Sequence, residues 1–172
     1  MDSIRYPIGP FEPIENPSME QIQSWIGELE RTPRLLREAV EGLREDQLDT
    51  PYRPGGWTIR QVVHHMADNN MNAYFRFKRA LTENNPLVLS YRQEQWAELE
   101  GSKAPIEPSL KIVEGIYHRF IVLLRSLEPS DFKRTMNSVM LGTLSLETAV
   151  QRFLWHDRHH VGQIKSTKIK KD

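Results

Sequence analysis

The sequence predicts an all-α protein: a four-helix bundle with a long crossover connection and a small β-hairpin before its last helix. Three observations carry that expectation. Apolar residues recur at three- and four-residue steps in four long stretches. The link from Asn84 to Pro108 is too long for a tight turn between neighbouring helices. The chain has 172 residues and no cysteine, a length that suits one domain, 1–172, burying its own core without disulfides.

The elements follow in order. Residues 1–17 contain Pro7, Pro10, Pro13 and Pro17, which keep the segment extended over the surface. Ser18 and Gln21 form the capping-box pattern that opens the first helix. Ile22, Trp25, Ile26 and Leu29 continue it, then Leu36, Ala39, Val40 and Leu43. Pro33 divides these halves, either by a kink or by a second helix with Thr32 as cap and Pro33 at its first position. Asp46 to Gly56, with Pro51, Pro54 and the Gly55-Gly56 pair, reads as a loop. Thr58 and Gln61 make another capping box, and Trp57 stands to Val62 at the spacing of a hydrophobic staple. Ile59, Val62, Val63, Met66, Ala73 and Phe77 then mark a buried face that runs to about Leu81.

Within the crossover, Ser90 and Gln93 are spaced to cap a short helix holding Trp96 and Leu99. Ser109 opens the third long helix, with Val113, Ile116, Tyr117, Phe120 and Leu124 on one side. From Phe132 to Leu144, strand-compatible residues flank a turn at Met136-Asn137-Ser138-Val139, which predicts the hairpin. The last helix spans about Ser145 to Ser166, and the tail Lys165 to Asp172 reads as a solvated end.

Composition narrows the function. Lys plus Arg equal Asp plus Glu at 23 each, so no broad charge favours nucleic acid or an anionic membrane. No run approaches the ~20 apolar residues of a membrane span, and Met1 to Ile8 lack a signal-like apolar region. A cytoplasmic protein is expected. Without cysteine there is neither a thiolate ligand nor a catalytic thiol of the chain's own.

The chemistry concentrates in Trp155-His156-Asp157-Arg158-His159-His160-Val161-Gly162-Gln163-Ile164. His156 and His160 are four apart, on one helical face, where two imidazoles can reach one ion. The plainer reading is a pair of core histidines bonded to other helices, or facing water at the bundle end. The earlier stretch Gly55 to Asp68 supplies His64 and His65. His65 lies at the edge of the buried stripe, and His64 is rotated ~100° away. If the bundle joins these helices, His65, His156 and His160 make a three-imidazole site with open positions, the catalytic rather than the structural pattern. Such nitrogen ligation suits zinc or nickel.

Other candidates weigh less. His156-Asp157-x-x-His160 looks like a metalloprotease motif, but neither His nor Glu follows His160 to complete one. His64 and His159 point elsewhere on their helices, as surface residues or neighbours of the site, and His118 reads as partly exposed. Asp68, one turn from His65, and Asp157 are placed to orient an imidazole or accept a proton. Plain solvated carboxylates remain the favoured reading of both. Trp25, Trp57, Trp96 and Trp155 read as core and cap residues, while Tyr74, Arg76 and Arg158 are candidates to line a pocket near the metal end.

At these two motifs, Gly-Gly-Trp-Thr-x-Arg-Gln-Val-Val-His-His-Met-Ala-Asp and Trp-His-Asp-x-His-His-x-Gly-Gln-Ile, the chain resembles the DinB-like superfamily. Within it, the resemblance is to the YfiT-like metal-dependent hydrolases of bacilli, with weaker similarity from Tyr6-Pro7-Ile8-Gly9 onward. It implies a bundle of unusual connectivity, assembled as a homodimer. It also implies one divalent metal per subunit, zinc first and nickel second, on His65, His156 and His160. Such relatives include thiol-dependent enzymes, among them bacillithiol transferases. The expected function is therefore a metal-dependent hydrolase activating water for attack on a small-molecule substrate. One alternative is an S-transferase activating a low-molecular-weight thiol cosubstrate; another is a non-catalytic, metal-stabilised interaction module.

Overall fold

A computed structural model of the chain describes residues 5–167. Seven helices follow one another: α1 (Met19–Leu29), α2 (Thr32–Val40), α3 (Glu45–Leu48), α4 (Ile59–Thr82), α5 (Gln93–Ala97), α6 (Glu107–Arg125) and α7 (Leu146–Ser166). Three short strands, β1 (Leu87–Val88), β2 (Thr135–Ser138) and β3 (Gly142–Ser145), form one sheet beside them.

The four walls of the bundle are α1 with α2, α4, α6 and α7. Ser18 and Thr58 each complete a capping box, with Gln21 and Gln61, so α1 and α4 begin where the sequence places them. At the two-halved first wall the chain starts a second helix, but Arg31 rather than Thr32 stands at the cap position, without a side-chain cap, and Thr32 is already helical. The chain breaks after Leu29, and α2 restarts with Pro33 in its first turn, where a missing N–H costs nothing. The predicted loop from Asp46 to Gly56 begins with one short helix, α3, whose carboxylates Glu45 and Asp49 both bond the guanidinium of Arg60.

Helix direction follows from the contacts. His64 meets Ser109 at one end of the α4–α6 pair, and Phe77 meets Phe120 at the other, so these helices run parallel. Only a long crossover allows that, and the segment from Glu83 to Ile106 provides it. Helix α7 returns antiparallel to α4: Arg134, just before it, donates to the carbonyls of Ala80 and Glu83, while His156 lies against His65. A continuous apolar core, including Ile26, Leu36, Met66, Phe120 and Val150, fills the space between the walls.

Two boundaries and the sheet differ from expectation. Helix α6 starts at Glu107 rather than Ser109, because Pro108 is tolerated in the first turn. Ser90 does not cap α5; Arg92 stands at that position without a side-chain cap. The hairpin exists, but Met136, Asn137 and Ser138 are strand and the turn falls at Val139–Leu141. It closes there because Gly142 adopts a left-handed φ of 71° and Ser138 Oγ accepts from the Leu141 N–H. Strand β1, from the crossover, adds a third strand parallel to β2.

The segment before α1 has no helix or strand and lies along α7 as a strap. Gln163 donates to the Arg5 carbonyl, Trp155 to that of Gly9, and the Gln151 amide bonds both the N–H and the C=O of Ile14. A Cβ on Gly162 would sit 3.1 Å from Pro7, so glycine lets the strap lie close against the helix. The lysine-rich tail falls, from Lys168 on, outside the described residues. No helix among those described is long and apolar enough to cross a membrane.

Candidate metal centre

The fold brings His65 of α4 and His156 and His160 of α7 to one point. A ligand atom from each lies within 4.8 Å of the others. The Nε2 atom of His156 is 3.2 Å from Nε2 of His65 and 3.2 Å from Nε2 of His160. Nitrogen atoms ~2.05 Å from a tetrahedral zinc ion would stand about 3.3 Å apart. The observed spacing therefore fits a metal of that size.

The outward nitrogens have neutral partners. His160 Nδ1 is 2.8 Å from Gln163 Oε1, and His65 Nδ1 is 3.3 Å from the Tyr91 hydroxyl. Both arrangements let Nδ1–H donate and leave Nε2 as a lone pair. His156 Nδ1 lies 3.2 Å from the Asn69 amide, which satisfies the same tautomer by presenting its oxygen after a half-turn about its last bond.

The site resists protonation. Burial pushes His65 down to about 4. His156 and His160 are held well below the ordinary histidine value, first by burial and then by the neighbouring imidazoles. Neutral imidazoles are what metal ligation requires. The Trp57 ring packs against them, its centroid 4.7 Å from that of His65 and 6.4 Å from that of His160. The residue read as a helix staple thus also walls the cluster.

The remaining candidates separate. His64 is buried, not exposed, and bonds Ser109 Oγ at 2.7 Å and the Ala104 carbonyl at 2.9 Å, tying α4 to the start of α6. His159 is also buried, stacked on Trp155 and bonded to Gln163 at 2.9 Å, where it supports the strap. Both surface readings are overturned, because the strap and the crossover cover faces that a lone helix would leave wet. His118 is exposed.

Asp157 overturns the solvated reading more sharply. It is 1% exposed, no described residue bonds either carboxylate oxygen, and burial holds its carboxyl well above the usual range. It follows Phe153 by one turn on the core stripe, and the periodicity of α7 forces it inward. Asp68 is half-buried beside Tyr91, its carboxyl raised by burial. Tyr74 is a core residue against Phe120, Arg158 pairs with Glu28, and Arg76 lines a cavity that reaches His156.

Sequence reasoning missed Tyr91, Asn69 and Gln163. Asn69 lies four residues after His65 and Gln163 three after His160, so helical spacing alone puts each beside its ligand. Tyr91 sits in the crossover, where no periodicity points to it. Gln163 is the most informative to change, because it touches His160, His159 and the strap together. Gln163→Leu is expected to weaken metal binding about 10- to 100-fold while circular dichroism still reports the bundle. Titration with a competing chelator measures it; an unchanged affinity would remove the glutamine from the site.

Comparisons with known proteins place the chain in a family. The sequence model of the DinB superfamily matches residues 28–164. A protein of Bacillus mycoides (strain KBAB4), named "putative metal-dependent hydrolase", is 46% identical over 166 residues, 96% of each chain. One of the same name from Bacillus cereus (strain 03BB102) is 47% identical over 166 residues, again 96% of each. Among solved structures, YfiT from Bacillus subtilis, described as a probable metal-dependent hydrolase with an unusual four-helix bundle topology, superposes with a TM-score of 0.92. It is 44% identical, with 94% of both chains covered.

Proposed function

The chain belongs to the DinB superfamily, and from that premise we propose that it is a metal-dependent hydrolase acting on a small molecule, with His65, His156 and His160 as ligands of one divalent ion, zinc first and nickel second. The observation that carries the reading is the convergence of three neutral imidazole Nε2 atoms, each steadied from behind by a hydrogen-bonding partner. Three ligands leave room for water and substrate, and a bound divalent ion would lower the pKa of water and polarise a carbonyl or phosphoryl oxygen.

The protein's own groups do the rest. Gln163, Tyr91 and Asn69 hold the imidazoles in the ligating tautomer, and Trp57 excludes water from one side. Asp68 is the carboxylate assigned to take the proton from the attacking nucleophile, because it stands beside Tyr91 and keeps partial access to solvent, whereas Asp157 is sealed. A second reading, transfer of a low-molecular-weight thiol, is favoured by one feature: the hydrogen-bond partners of the ligands are all neutral. The nearby carboxyl of Asp157, 3.7 Å from His156 Nδ1, is sealed and raised by burial. A thiol, with an ordinary value of ~8.5, needs less help from a base than water does.

Reconstitution with one equivalent of zinc, followed by assay on esters with and without an added thiol, tests both. Thiol-independent hydrolysis that falls about 100-fold or more in Asp68→Asn supports the hydrolase. Turnover that requires the thiol and survives Asp68→Asn supports the transferase. No metal uptake would sink both readings, and metal uptake without turnover would return the chain to the non-catalytic, metal-stabilised module.

A further inference from the structure

Two cavities stand out among the described residues. The larger, about 410 Å³, lies under the strap against Trp25, Trp155 and Arg158 and contains none of the clustered histidines. The smaller, about 110 Å³, has His156 and Asn69 in its wall and runs between α4 and α7 beneath the hairpin. Its sides are largely apolar, among them Phe77, Met136, Leu144 and Phe153. Two guanidinium groups interrupt them, Arg76 from α4 and Arg152 from α7.

These arginines differ from the paired arginines of the bundle. Arg53, Arg92, Arg119 and Arg134 also meet neutral partners, but they lie outside the cavity that Arg76 and Arg152 line. Arg34, Arg37, Arg44, Arg79, Arg125 and Arg158 all face carboxylates. Among the described residues neither Arg76 nor Arg152 has a carboxylate partner. Both are half-buried, so burial works against their charge without a counter-ion to offset it. Arg76 is steadied by a 2.7 Å hydrogen bond from Nη2 to the Leu89 carbonyl, and Arg152 has its guanidinium 5.4 Å from the centre of the Phe11 ring. An arginine pre-oriented by a neutral contact and left without an anion is a receptor for one.

We propose that Arg76 and Arg152 form the anion-binding end of the substrate pocket, so that the substrate is a small molecule with an apolar body and one terminal carboxylate or phosphate. The inference rests on the metal-dependent reading above, since it takes the histidine end of the cavity as the reacting end. Helical rise sets the scale. Arg152 is one turn, about 6 Å, from His156, and Arg76 is seven residues, about 10 Å, from Asn69. The anionic group therefore sits on the order of 6–10 Å from the reacting bond, with the apolar walls holding the chain between them.

The test compares matched substrates, the 4-nitrophenyl esters of butyrate and of hydrogen glutarate, on zinc-reconstituted protein. Native protein is expected to prefer the glutarate ester at least tenfold in kcat/KM. Arg76→Gln and Arg152→Gln should each lower that ratio several-fold, and the double variant should abolish it. Arg34→Gln, on the far wall, should leave the ratio unchanged. A ratio near one in native protein, or one untouched by the double variant, overturns the proposal. Binding is read separately, by calorimetric titration of the same proteins with phenyl phosphate and with glutarate. Binding in native protein that weakens about tenfold in the arginine variants supports the anion site even where neither ester is hydrolysed, an outcome that would instead count against the hydrolase. No binding of either anion overturns the site itself. A carboxylate-only or phosphate-only response identifies the terminal group.

Discussion

His156→Ala is expected to leave the protein without stoichiometric metal and without metal-dependent turnover. His156 is the middle member of the cluster, its Nε2 3.2 Å from the nitrogens of both other histidines, so its loss leaves two imidazoles that no longer share a third. If one ligand contributes ~4 kcal/mol, affinity falls about a thousandfold, well beyond the 10- to 100-fold expected of Gln163→Leu. His65→Ala and His160→Ala should behave alike. Elemental analysis of untagged protein measures this, with native protein near one metal per chain and each variant near none at unchanged helical content. Metal retained at one per chain in any of the three variants would refute that residue's assignment.

Metal-free protein is expected to lose stability steeply as pH falls from about 6.5, more steeply than most bundles of this size. The folded state holds His65 at about 4 and His156 and His160 well below the ordinary histidine value, whereas the unfolded chain binds protons near ~6.5. Below that value the unfolded state binds more protons, so stability is full above pH ~6.5 and drains away toward the folded values. His65 contributes about 1 kcal/mol of loss between pH 6.5 and 5.5, and His156, His160 and His159, also lowered by burial, act in the same direction. Asp157 opposes them. Its folded value is raised, so its carboxyl favours the folded state more as pH falls. The His65 contribution alone corresponds to a fall of about 2–4 °C in Tm for a chain of this length. Thermal melts of chelator-treated protein at pH 6.5 and 5.5 measure it. Saturation with zinc to ~100 times Kd should add about 3 kcal/mol at pH 7. An apo-protein whose Tm is flat across that window would show that the imidazoles are not held neutral by burial.

Much of the bundle was legible in the sequence because local physics sets it. Capping boxes at Ser18 and Thr58 place two helix starts, and the periodicity from Ile59 to Phe77 identifies the buried face of α4. The four-residue spacing of His156 and His160 puts them on one face of one helix without reference to anything else. The parallel sense of α4 and α6 is the connectivity that a long crossover permits, and the length of that segment was visible too.

What the chain alone left open is whatever depends on a second segment covering the first. His64 and His159 look solvated when each helix is read by itself, and become buried once the strap and the crossover close over them. Tyr91 reaches His65 from a segment without periodicity, and Arg76 and Arg152 meet in one cavity from elements 76 positions apart in sequence. Local spacing determines which face of a helix a residue takes; the packing of distant elements decides what that face meets, and only the tertiary structure contains that information.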